Sequence, residues 1–264
     1  MAKVLAAELR RNGRPITDDL IWVIWTVLRR RKERQYDSPM AGFVLLHSPL
    51  VGPSTWKWVA EELRSLGNDV DVPVISPSST SQGWEGVVGE VLTQLPVASN
   101  LVFVAHSGAG PLLPTIVDRS NARAATLVFV DAGVPAMDVS TPLLPPELFR
   151  HLAPTAQDGL LPPWSEWFGP DVISSLVPDA EKRELVGSEV SRLPLDYFSG
   201  LVPPVRSWPT ERNGYVLLSD GYLEGAFEAR RRGWPVVELL GQHLDLVTKA
   251  PDVARAILEV ISAG

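Results

Sequence analysis

The sequence predicts an α/β fold: about six strands in a mostly parallel sheet, helices on both faces, and an inserted helical lid. Three observations predict it. From residue 42 onward, short apolar runs alternate with segments of helical periodicity, the pattern of a parallel sheet buried on both faces. The chain has 264 residues, 45% of them hydrophobic and 21% charged, which suits one domain with a sizeable core. Finally, residues 134–212 break the alternation and hold more than half of the 24 prolines, so they are set apart from the sheet.

The elements follow in order. "FVLLHS" (43–48) is a short apolar run, as expected of a strand covered on both sides. "PSTWKWVAEELRSLG" (53–67) has helical spacing, with Pro at its start and Gly at its end. "DVDVPVI" (69–75) reads as a strand and "GWEGVVGEVLTQL" (83–95) as a helix. "LVFVAH" (101–106), "AGPLLPTIVDRS" (109–120) and "ATLVFVDA" (125–132) continue as strand, helix and strand. After the interruption come the strand "YVLLS", the helix "YLEGAFEARRRG", the strand "PVVELLG" and the helix "PDVARAILEVI".

A structureless loop as long as residues 134–212 is improbable, so this segment is expected to be a lid with short helices such as "PDAEKRELVGSEVSRL". Trp164, Trp167, Phe168, Tyr197, Phe198 and Trp208 would give it an apolar underside. Residues 1–39 form a separate N-terminal extension, and residues 40–264 the main domain. The extension carries nine Lys/Arg against five Asp/Glu, a local +4, and leaves −11 for the rest. Its apolar run "LIWVIWTVL" (20–28) is too short to span a bilayer and is followed by no small-residue cleavage site. It reads as a helix docked on the domain or mobile. A membrane-surface helix, or Met40 as the natural start, stays open.

Composition excludes several chemistries. A net charge of −7 argues against nucleic acid as the main partner. With no cysteine there is no disulfide, thiolate nucleophile or Cys-based metal site. The four histidines, His47, His106, His151 and His243, lack metal-ligand spacing, so no metal and no cofactor is expected. The expected partner is a small-molecule substrate, the expected location cytoplasmic; membrane contact is not expected, and a homodimer stays open.

The chemistry must then come from hydroxyls, carboxylates and imidazole. "LVFVAHSGAG" (101–110) is a strand, a small-residue turn and the start of a helix, with Ser107 at the tip. This is the strand–turn–helix context of the nucleophile elbow G-x-S-x-G, with Ala105 and Ala109 in the flanking small positions. The helix dipole and the Gly108 N–H favour negative charge at that point. A serine nucleophile needs a base within reach, and "ELLGQHLDL" sets His243 between the last strand and the last helix. His106 sits in the elbow pointing elsewhere, His47 ends the first strand and His151 lies in the lid. His47 and His106, with Trp164 and Trp167, are the candidate substrate contacts.

Ser107 and His243 in this order resemble the α/β-hydrolase superfamily over about residues 42–264. "FVLLHSPLVGPSTW", "FVAHSGAG", "VFVDAGVP" and "GQHL" are similar to the small single-domain branch of plant esterases, hydroxynitrile lyases and bacterial relatives. The resemblance implies an α/β-hydrolase fold and a triad whose acid has two candidates. One is Asp220 in "LLSDGYLEG", at the family's common position; the other is Asp131, ending the strand before the lid, as in some haloalkane dehalogenases. It also implies an oxyanion hole built from the Gly108 N–H and a donor after the first strand. There the family's His-Gly-x is replaced by His47-Ser48-Pro49, and proline has no N–H. Either Leu50 N–H donates, or the Ser48 hydroxyl substitutes. Ser48 resembles the lyase pattern, whereas the lysine those lyases carry after the histidine is replaced by Leu244. The leading expectation is an esterase-like serine hydrolase of small, mostly apolar substrates. The alternatives are a lyase or elimination enzyme using the same pair, and a catalytically silent binding protein.

Overall fold

The computed structural model describes residues 42–120, 123–169, 172–204 and 208–264. The N-terminal extension expected over residues 1–39 lies outside them. Six strands form one sheet: β1 (Gly42–Leu46), β2 (Asp69–Asp71), β3 (Ser99–Ser107), β4 (Arg123–Ala132), β7 (Asn213–Leu217) and β8 (Val236–Glu238). Their order is β2-β1-β3-β4-β7-β8 and every neighbouring pair is parallel. The chain turns from β1 outward to β2 and then returns to lay β3 on the other side of β1. The C-terminal ends of β1 and β3 thus flank the crevice where open α/β sheets present ligands.

Phe43, Phe103, Phe129 and Tyr215 on these strands, and Trp56 at the end of the 3-10 turn Pro53–Trp56, are fully buried. The helices give their apolar stripe to this core. In α1 (Lys57–Ser65) the buried positions are Val59, Ala60 and Leu63; in the helix Ala250–Ala263, hereafter the C-terminal helix, they include Val253, Ala254, Ile257 and Val260. Two predicted strands are shorter than their apolar runs. Pro73 cannot donate to a ladder, and β2 ends at Asp71; β8 likewise closes at Glu238. The helix predicted at 109–120 opens as a 3-10 turn, Gly110–Leu112, before the α-helix Leu113–Arg119, with Pro111 and Pro114 in the first turns of the two pieces.

Between β4 and β7 lie short helices, among them Pro146–Leu152 and Ala180–Ser188, and a two-stranded antiparallel ribbon of β5 (Thr141–Pro142) with β6 (Leu201–Val202). The ribbon joins the two ends of the insertion. Asp179 caps Ala180–Ser188 by accepting from the Lys182 N–H at 2.9 Å, and this helix is shorter than its predicted segment. Trp164, Trp167, Tyr197 and Phe198 are buried, whereas Phe168 is 59% exposed. No helix among the described residues is long and apolar enough to cross a membrane, and no grouping of their His, Asp and Glu could hold a metal ion.

The helix after the elbow packs directly on the end of β4. A Cβ added at Gly110 would lie 2.4 Å from the Gly133 carbonyl oxygen and 2.9 Å from the Ala132 Cβ. Gly110→Ala should therefore force the helix off the sheet and cost about 1–3 kcal/mol. The check is the denaturant midpoint; an unchanged midpoint would refute this account of the packing.

Candidate active site

The β3–β4 ladder breaks where the chemistry-bearing residues stand. His106 pairs with Val130 and Ser107 with Ala132, so Asp131 is the extra residue of a bulge. Both Ser107 and Asp131 take positive φ, 56° and 44°, conformations a strand cannot hold. Leaving the ladder turns each side chain out of the strand's in-and-out alternation and over the end of the sheet. Aspartate tolerates this backbone better than most residues.

There they meet His243. Its Nδ1 lies 2.7 Å from Asp131 Oδ2, and its Nε2 lies 3.1 Å from Ser107 Oγ. Asp131 is fully buried and accepts three further hydrogen bonds: Leu218 N–H and Ser219 N–H on Oδ1, at 2.8 and 2.9 Å, and the Ser219 hydroxyl on Oδ2 at 2.6 Å. Those three partners are donors, so Asp131 faces them as an acceptor; with the His243 proton assigned to Nδ1 toward the same side chain, Nε2 is left to accept from Ser107. The turn carrying His243 is set from below. Asp245 Oδ2 accepts the Gln242 N–H at 2.9 Å and Lys249 Nζ at 2.8 Å.

Asp220, the alternative acid, does not join this set. It is exposed and opens the 3-10 turn Asp220–Tyr222. The strand before it ends so that Leu218 and Ser219 present their N–H groups to Asp131, which turns the following residue outward. Tyr222, two positions on, is the site residue that sequence reasoning missed. Its hydroxyl lies 2.9 Å from Ser107 Oγ, and its ring stacks on His243 at 4.9 Å with 7° between the planes. Burial pushes its phenol up to about 12, with the Ser107 hydrogen bond opposing. A turn tyrosine carries no sequence signal for such a role.

Two histidines expected to touch substrate have other partners. His47 does not reach the crevice: Nε2 accepts the Ile75 N–H at 3.0 Å and Nδ1 donates to the Ser48 carbonyl at 2.9 Å. It ties the end of β1 to the neighbouring segment. His106 is fully buried behind His243, stacked on it at 4.5 Å, and its Nε2 donates to the His243 carbonyl at 3.2 Å. It borders the crevice, yet its polar edge serves the backbone.

The crevice at Ser107 is lined by Ser48, Leu50, Val51, His106, Trp164, His243 and Leu244, with a volume of about 10 Å³. That is room for about one water. Trp164 stands over His243 at 6.0 Å, whereas Trp167 lies outside this lining, with Nε1 donating to the Pro162 carbonyl at 2.9 Å. On the side of the first strand, Leu50 N–H donates to Ser48 Oγ at 3.3 Å. A Cβ at Gly108 would lie 2.9 Å from that same oxygen, so the hydroxyl adjoins the Gly108 backbone. Ser48 therefore stands between Leu50 N–H and the elbow, with its own proton available to a ligand.

Burial, with His243 adding to it, holds His106 well below the ordinary imidazole value of 6.5, and burial lowers His47 in the same direction. Both are neutral in the folded chain and free to protonate once it unfolds. Below 6.5 the unfolded state binds more protons, so stability is full above that value and declines as pH falls below it. Denaturant midpoints measured from about pH 8 to about pH 5 should drop, and His106→Phe should flatten part of that slope. An equal slope in the variant would show that His106 contributes nothing to it.

No protein-family model matches the chain, and no curated protein does. Solved structures do. An extracellular α/β-hydrolase from a Paenibacillus species, described as sharing structural and functional homology with tobacco salicylic acid binding protein 2, is 17% identical with a TM-score of 0.68, covering 84% of this chain and 99% of that one. Tomato methylketone synthase I in complex with 2-tridecanone is 16% identical with a TM-score of 0.66, covering 85% and 99%. A pyrethroid hydrolase from Sphingobium faniae JZ-2 is 17% identical with a TM-score of 0.60, covering 85% and 98%. The strand order, the elbow and these likenesses agree: the chain has the α/β-hydrolase fold.

Proposed function

We propose that the protein is a serine hydrolase acting on small, mostly apolar esters through Ser107, His243 and Asp131. One observation carries the reading: the unbroken run of hydrogen bonds from Asp131 through His243 to Ser107, at 2.7 and 3.1 Å. Ser107 Oγ attacks the ester carbonyl as its proton passes to Nε2, and Asp131 holds the imidazolium that results. The alkoxide leaving group takes that proton from Nε2. Water then enters the acyl-enzyme by the same route in reverse. The developing oxyanion is received by the Gly108 N–H and the Ser48 hydroxyl, which is polarised by the Leu50 N–H behind it.

The crevice supports the small, apolar character of the substrate, since Leu50, Val51, Trp164 and Leu244 form much of its wall. Residues 134–212 act as the lid over it and set specificity. Among similar structures, polyneuridine aldehyde esterase and the pyrethroid hydrolase are hydrolases by name, consistent with this reading.

The second reading, an elimination or lyase reaction with Ser107 and His243 as general base, is favoured by Pro49, which has no N–H to give, and by the Ser48 hydroxyl beside it. A fluorophosphonate probe and p-nitrophenyl esters separate the two. Hydrolysis requires labelling and turnover that both fall by at least about 10³-fold in Ser107→Ala. Labelling at Ser107 without ester turnover would favour the second reading, and no labelling would sink both. Ser48→Ala should lower kcat about 10²-fold with little change in KM, the signature of a donor used in the transition state. A change confined to KM would assign Ser48 to substrate binding instead.

A further inference from the structure

Tyr222 is the polar group against the nucleophile that the triad leaves unused. Its proton can be located by counting. Asp131 holds the Nδ1 proton of His243, so Nε2 is a lone pair and the single proton of Ser107 points to it. Oγ has only lone pairs left for its other neighbour, 2.9 Å away, so Tyr222 is the donor of that hydrogen bond. The phenol keeps its proton across the range in which an imidazole titrates.

The position of this donor is built, not incidental. The Tyr215 hydroxyl lies 2.9 Å from the Ala132 carbonyl and 3.3 Å from the Tyr222 carbonyl, tying the turn to the end of β4. Gly225 leaves the space, since a Cβ there would lie 2.5 Å from the Tyr215 hydroxyl. The phenol thus reaches Ser107 Oγ from outside the residues that line the crevice.

We propose that Tyr222 is a catalytic residue of the second half-reaction, its O–H binding Ser107 Oγ as that atom becomes the leaving group. The proposal rests on Ser107 being acylated. In deacylation, water attacks the acyl carbon and gives its proton to Nε2. The C–Oγ bond then breaks, its electron pair goes to Oγ, and the proton on Nε2 follows it. Tyr222 retains its own proton throughout. An ester Oγ is a poor acceptor, and it becomes a strong one only as this bond breaks. The hydrogen bond therefore stabilises the transition state much more than the acyl-enzyme, which is what accelerates a step. Acylation gains little, because the serine hydroxyl polarised by His243 already accepts well in the ground state.

Tyr222→Phe keeps the ring on His243 and removes only the O–H. With p-nitrophenyl acetate in rapid-mixing kinetics, acylation should stay within about threefold of wild type, while deacylation slows about tenfold or more. The variant would then release a burst of nitrophenol, and acyl-enzyme would accumulate on intact mass analysis. Tyr222→Leu, which also removes the stack, should slow both steps. Deacylation at the wild-type rate in Tyr222→Phe, or equal slowing of both steps in it, would overturn the proposal. Ser107→Ala separates this from failure of the hydrolase reading: retained labelling there removes the nucleophile itself, whereas lost labelling with normal deacylation in Tyr222→Phe removes only the role of Tyr222.

Discussion

The site hangs on one buried carboxylate. Asp131 is fully enclosed, and a charge in that position is costly unless each lone pair is met. It is met by donors from two separate places: Leu218 and Ser219 at the end of β7, and His243 in the turn after β8. A single side chain thus sews together the ends of β4, β7 and β8. The bulge that puts Asp131 there also offsets the β3–β4 register beside Ser107, so both residues are set by one irregularity. Removing the charge would leave three protein N–H or O–H donors and an imidazole N–H facing an uncharged cavity wall, a loss felt in folding and in chemistry alike.

The strands and the elbow were legible because they are governed by local rules. Runs such as "LVFVAH" and "ATLVFVDA" have no polar face, and a turn packed between strand and helix admits only small residues around its tip. The place of His243 was legible for a related reason: it follows a strand and precedes a helix, so it must lie at the same edge of the sheet as Ser107. Which aspartate meets His243 was not, since Asp131 and Asp220 both end apolar strands. What separates them is backbone direction. The Leu218 and Ser219 N–H groups converge on Asp131, and the chain then turns Asp220 out to solvent; no pattern of residue types encodes that. Tyr222 was hidden for the same reason, and His47 was misjudged because a histidine that satisfies backbone groups looks in sequence like one that greets a ligand.

Pro49 poses a problem that the local structure answers. Without its N–H, the loop after β1 has lost a backbone donor, and Leu50 N–H points at Ser48 Oγ instead of into the crevice. The hydroxyl passes the donation on, accepting from Leu50 and keeping a proton to give. The loop is held at both ends. His47 clasps the Ser48 carbonyl, and Glu189 of the insertion accepts from Ser54 N–H at 2.9 Å and from the Ser54 hydroxyl at 2.6 Å. Gly52 makes room for that carboxylate, since a Cβ there would lie 2.0 Å from Glu189 Oε2. The insertion is therefore joined to the loop that carries Ser48, and any movement of one is felt by the other.

The imidazole at the centre is held by faces as well as by edges. His106 and Tyr222 stack on His243, with plane angles of 29° and 7°, and only 16% of its side chain is exposed. The two hydrogen-bonded nitrogens fix its tilt in the ring plane; the two stacked rings deny it rotation out of that plane. The neighbours differ in what they offer when His243 gains a proton. His106, held neutral by burial, adds no competing positive charge, and the electron-rich face of Tyr222 attracts an imidazolium. Had His106 an ordinary imidazole's readiness to protonate, the charged form of His243 would be disfavoured. Burying His106 thus acts electrostatically on His243 through a residue outside the run of hydrogen bonds from Asp131 to Ser107.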